Sequence, residues 1–88
     1  MHIDFAPSAG RHGISQDRIR HVISHCRSPL YPPDDDQGDK DLVMFLGPDA
    51  TGVPLEVVAI ENEDGLYVIH AMRLRPRYAD DYTRVMGS

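Results

Sequence analysis

Ile19, Val22, Ile23 and Cys26 recur at the i, i+3, i+4, i+7 spacing that lines one face of a helix. Ser15 precedes them as an N-cap, and Asp17 falls in the first turn, where the helix dipole favours an acid. Ile14 before the cap and Ile19 after it have the spacing of a hydrophobic staple. Pro29 disfavours helical backbone at Ser28, so the helix must end by about that residue. Ahead of it, Ile3–Phe5 reads as a short strand that stops before Pro7.

Beyond the helix the period changes from helical to strand-like. Leu42–Leu46, Leu55–Ile60 and Leu66–Met72 are apolar runs of strand length, parted by Gly47–Gly52 (GPDATG) and Glu61–Gly65 (ENEDG), both turn chemistry. Connections this short predict an antiparallel meander, since parallel neighbours need a long crossover. Strict alternation puts Leu66, Val68, His70 and Met72 on one face of the last strand, and Tyr67, Ile69, Ala71 and Arg73 on the other. Both faces are largely apolar, so that strand is expected to be central. Pro76 suits the first turn of a short helix reaching about Met86. The expected fold is α+β: an N-terminal helical region packed on a three- to four-stranded antiparallel sheet, closed by a short C-terminal helix. At 88 residues this is one domain, residues 1–88, and neither an internal repeat nor a second core is visible.

Charge adds an asymmetry. Nine Lys+Arg stand against fourteen Asp+Glu, a formal charge of −5. Residues 1–30 hold four arginines against two acids, residues 31–65 ten acids against Lys40, and residues 66–88 four arginines against two acids. Much of the acidity lies in Tyr31–Asp41 (YPPDDDQGDKD), which has nothing to bury and is expected to be a mobile loop. That loop lacks the ligand spacing of a calcium-binding EF-hand. One cysteine excludes an intrachain disulfide framework and a cysteine-based zinc cluster, and no run is long enough for a membrane span. With no signal-peptide pattern at the N-terminus, the expectation is a cytoplasmic protein without cofactor or metal.

Candidate chemistry concentrates at the end of the last strand, in IHAMRLRPRYADDY, where His70, Arg73, Arg75, Arg77, Tyr78 and Tyr82 cluster. Three guanidinium groups so close repel, so they call for an anion. Either a phosphate or carboxylate ligand, or the acids of residues 31–65, or Asp80 and Asp81 would serve. His12, in RHGIS, is the other candidate, as a proton-transfer group or as a residue that shapes the turn. His21 and His25, four apart, read as a solvated helix face, and Cys26 as a small core residue. RNA cleavage without a metal needs a base for the 2′-hydroxyl, an acid for the leaving oxygen and cations for the phosphate; histidine and arginine supply these.

RHGIS at 11–15, an amphipathic helix, strands, and HAMRLRPRY at 70–78 together resemble the BrnT-type toxins of type II toxin–antitoxin systems over roughly residues 3–84. The resemblance implies a RelE-like ribonuclease fold and a toxin that cleaves RNA. It also implies a small DNA-binding antitoxin as partner, with the chain as a homodimer or in a higher complex with that antitoxin. His12 matches the histidine of the family's KHG element, and Arg73 its strand-ending arginine pair, with Arg75 as the second member. His70 stands where the family often has serine and is assigned an assisting role on its chemistry alone. Pro48 follows Gly47 where the family tends to carry an arginine, and the chain is acidic. These departures motivate the alternative of a catalytically inactive module that docks an antitoxin-like regulatory partner. A small metabolic enzyme or anion-binding domain is a third option with no specific motif behind it.

Overall fold

The computed structural model describes residues 2–31 and 41–87. The elements are β1 (His2–Phe5), a 3-10 turn at Pro7–Gly10, α1 (Gln16–His25), β2 (Leu42–Pro48), β3 (Pro54–Asn62), β4 (Gly65–Arg73), a second 3-10 turn at Pro76–Tyr78, and α2 (Ala79–Gly87). Apart from Tyr31 and Asp41, the acidic segment expected to be a mobile loop lies outside the described residues.

The helix forms as its sequence dictates. The Ser15 hydroxyl accepts the Arg18 N–H at 3.3 Å, and Asp17 occupies the first turn. Ile14 and Ile19 are both buried, and Ile19, Val22 and Ile23 form the inward stripe. Those side chains pack on Val43, Phe45, Leu55, Val57, Ala59, Leu66, Val68 and Ala71, so one face of the sheet and α1 make the main core. Gly13, at φ 75°, turns the chain into the helix in a conformation that L side chains rarely adopt.

The sheet order is β1-β4-β3-β2. β2, β3 and β4 form the expected antiparallel meander, and β4 is interior. The expectation of a wholly antiparallel sheet is corrected: β1 runs parallel to β4, and the sheet is mixed. Short connections constrain only strands that follow one another, and β1 and β4 do not. The pairing places His2 beside Gly65, where a Cβ would lie 1.9 Å from the His2 carbonyl oxygen, so only glycine lets β1 dock.

Alternation along β4 also departs from the strict pattern. Val58 pairs with His70 and Ala59 with Val68, so Ile69 is an extra residue in β4 and forms a bulge. The bulge reverses the faces beyond it. Ala71, not His70, continues the buried row of Leu66 and Val68. His70 and Met72 pair with Val58 and Glu56 on the opposite face. The Ser8 hydroxyl donates to the Ile69 carbonyl at 2.7 Å, and the Ala6 N–H donates to Val68 O at 2.8 Å. The first 3-10 turn is thus tied to the bulge.

A second polar anchor joins α1 to the β2–β3 turn. Asp49, 5% exposed, accepts from the Thr51 hydroxyl, the Thr51 and Val53 N–H groups and Arg18 Nε. The Thr51 hydroxyl foremost, then the Val53 N–H, hold its carboxyl well below the usual carboxylate range. α2 packs against β2, with Val85 buried. Among the described residues no helix is long and apolar enough to cross a membrane.

Candidate functional site

Glu56 is the centre of the arrangement that the bulge creates. It lies in the apolar run of β3, between cross-strand partners Leu46 and Met72, and is fully buried. A buried carboxylate survives only with its lone pairs occupied. Arg75 supplies most of the donors: its backbone N–H at 2.9 Å and Nε at 3.2 Å reach Oε1, and Nη2 at 2.7 Å reaches Oε2. His70 Nε2 lies 3.1 Å from Oε2. Burial works against the charge, but the Arg75 side chain and N–H and the His70 ring outweigh it and lower the Glu56 pKa. In return, the hydrogen bond to Glu56 raises the Arg75 pKa.

The ionised Glu56 fixes the tautomer of its neighbour. A carboxylate only accepts, so the proton shared with His70 sits on Nε2. Neutral His70 therefore carries its lone pair on Nδ1, the form of a general base. His12 meets the same ring edge-on, with centroids 5.7 Å apart and planes at 72°. It arrives there because the 3-10 turn at Pro7–Gly10 is anchored on the β4 bulge. Glu56, His70, Arg75 and His12 thus form one contiguous cluster. The Arg75 and His70 side chains are 39% and 26% exposed, so the cluster opens to solvent while its carboxylate does not.

Tyr78 extends the cluster. The Arg75 guanidinium lies 5.5 Å from its ring centroid and that of Arg77 5.1 Å, one ring serving two cations. Tyr82, on α2, has its pKa raised by burial.

Of the residues singled out in the sequence, the structure brings together His12, His70 and Arg75. It does not bring Arg73 to them. Arg73 pairs with Leu55 on the α1 side of the sheet and is exposed. The three arginines proposed to share one anion are therefore divided. Arg75 takes a carboxylate from the acidic central segment, Arg77 lies over Tyr78, and Arg73 projects from the other face. His21 and His25 stack on the surface of α1 at 4.0 Å, away from this cluster.

Sequence reasoning missed Glu56 and Asp49. Glu56 left one signal, a charged residue within the apolar run Leu55–Ile60 that faces an arginine-rich strand end. Asp49 left another, an Asp two residues before a Thr in a glycine-bounded turn, the pattern of a side chain that caps its own loop.

Neither a family model, nor a curated protein, nor a solved structure matches this chain.

Proposed function

We propose that this chain is an endoribonuclease needing no metal, the toxin component of a type II toxin–antitoxin system, with a RelE-like fold. The observation that carries the catalytic reading is the pair of touching imidazoles, His12 and His70, with His70 oriented by a buried carboxylate that also holds Arg75. The toxin role and the antitoxin partner rest on the resemblance of RHGIS and HAMRLRPRY to BrnT-type toxins.

In this reading His70 Nδ1 takes the proton of a ribose 2′-hydroxyl, and the resulting oxygen attacks the adjacent phosphorus. The phosphorus–5′-oxygen bond breaks, and protonated His12 gives its proton to the leaving oxygen. Products are a 2′,3′-cyclic phosphate and a 5′-hydroxyl. Arg75 stabilises the charge that builds on the phosphate oxygens, in a geometry set beforehand by Glu56. Arg73, exposed on the other face, serves neighbouring backbone phosphates rather than the reacting one.

The test is incubation of the purified protein with a ribo-oligonucleotide and its 2′-deoxy counterpart in excess EDTA. Only the ribo form should be cut, leaving a cyclic phosphate. His12→Ala and His70→Ala should each lower the rate by about 10²–10⁴-fold. An intact ribo-oligonucleotide would refute the catalytic reading.

A second reading has its own observation: Glu56 already neutralises Arg75, so the cluster carries little free positive charge. In that reading the chain is a binding module for an antitoxin-like regulatory protein. It predicts a stoichiometric complex with the product of a neighbouring gene, and no RNA cleavage.

A further inference from the structure

At the C-terminal end of α1, a cleft of about 350 Å³ opens between that helix, the end of β2 and α2. It lies at the far end of α1 from His12. Its floor is apolar and includes Val22, Leu46 and Val85, all buried. Met86, one of the few large apolar side chains left exposed among the described residues, borders it. Its mouth holds Arg27 and the stacked His21–His25 pair. None of the described residues lining it is Asp or Glu, in a chain whose formal charge is −5.

We propose that this cleft binds a small amphiphilic anion, its apolar tail on Val22, Leu46 and Val85 and its carboxylate or phosphate head at Arg27. Size favours a small ligand over a protein. The volume lies in the ~300–1,000 Å³ range of small-molecule sites. The ten described residues that line it fall well short of the roughly 20–30 a side in a stable protein interface. Charge selects the head group. A guanidinium binds a carboxylate or phosphate with paired donors, and the described residues of the mouth offer an ammonium no carboxylate partner.

Cys26 lines the cleft and is half-buried, so its reaction with a disulfide reagent reports occupancy without reference to any activity. Octanoate and octyl phosphate, below their micelle concentrations, should each slow that reaction several-fold and shift the amide resonances of Val22, Leu46 and Val85. Acetate, with no tail, and octylammonium, with the opposite charge, should not. Arg27→Ala should weaken octanoate roughly tenfold. A Cβ at Gly47 would touch Val22 at an ordinary 3.8 Å, so Gly47→Val should fill the space and abolish binding. If that variant fails to fold, the ligand series and Arg27→Ala still decide. No protection by octanoate at millimolar concentration would overturn the proposal, and so would equal protection by octylammonium. Protection that grows with protein concentration alone would also overturn it, assigning the cleft to a second copy of the chain.

Discussion

Replacing Arg75 with Met keeps most of the side-chain stem but removes the guanidinium, and its cost follows from what remains around Glu56. Among the described residues four groups contact that carboxylate: the Arg75 N–H, Nε and Nη2, and His70 Nε2. The variant keeps the N–H and His70 and loses two charge-assisted donors, each worth roughly 1.5–3 kcal/mol. Stripping one partner from a buried ion pair costs about 3–5 kcal/mol in general. Because the arginine side chain is 39% exposed, water can reach part of the vacated space, which favours the lower end, about 3 kcal/mol. In a domain of 88 residues each kcal/mol moves Tm by about 4–8 °C, so the expected fall is roughly 12–24 °C. Glu56→Leu alone should cost less, because the freed arginine can turn to water whereas a freed Glu56 cannot. The double variant Glu56→Leu/Arg75→Met places an apolar side chain between Leu46 and Met72 and should recover at least about 2 kcal/mol of the single-variant loss. Urea denaturation of the four proteins measures the cycle. A loss below about 1 kcal/mol for Arg75→Met, or simple additivity in the double variant, would refute the reading of Glu56 as a buried charge held by Arg75.

Three further outcomes follow from the fold. Gly65→Ala should cost at least about 1–3 kcal/mol and remove hydrogen-exchange protection at Ile3–Phe5, since its Cβ collides with the His2 carbonyl and φ is 145°. Gly10→Ala, with open space around the added methyl, is the matched control and should be near neutral. Glu56 and Asp49 both have lowered pKa values, so their contribution is fully present above the unfolded-state carboxylate range and lost as pH falls through the lower folded values. Tm should therefore be flat near neutrality and fall below about pH 4, with a shallower fall in Asp49→Asn; calorimetry from neutral to acid pH checks both. Ser15→Ala removes the cap on the Arg18 N–H and should cost about 1 kcal/mol by chemical denaturation, leaving the His12–His70 contact intact in nuclear Overhauser spectra.

Local rules determined much of this protein from its sequence. The cap at Ser15, the stripe at Ile19, Val22 and Ile23, the three long strands and their turns each follow from neighbouring residues, and each stands in the structure. Residues carrying candidate chemistry were legible as types, and His12, His70 and Arg75 do meet. Tertiary structure alone decided how they meet. One extra residue, Ile69, turns His70 away from the row of Leu66 and Val68 and toward Glu56, and a period-two pattern cannot show where a strand takes in an extra residue. The parallel docking of β1 depends on a close approach to Gly65, far away along the chain. Arg75 rather than Arg73 enters the cluster because Arg73 falls on the α1 side of β4, whereas Arg75, beyond the strand end, turns back to Glu56. Glu56 itself resembled any polar residue in a strand until the fold buried it. Burial is a property of the assembled sheet, and it makes this one carboxylate the fixed point for two side chains that the sequence presents only as charges.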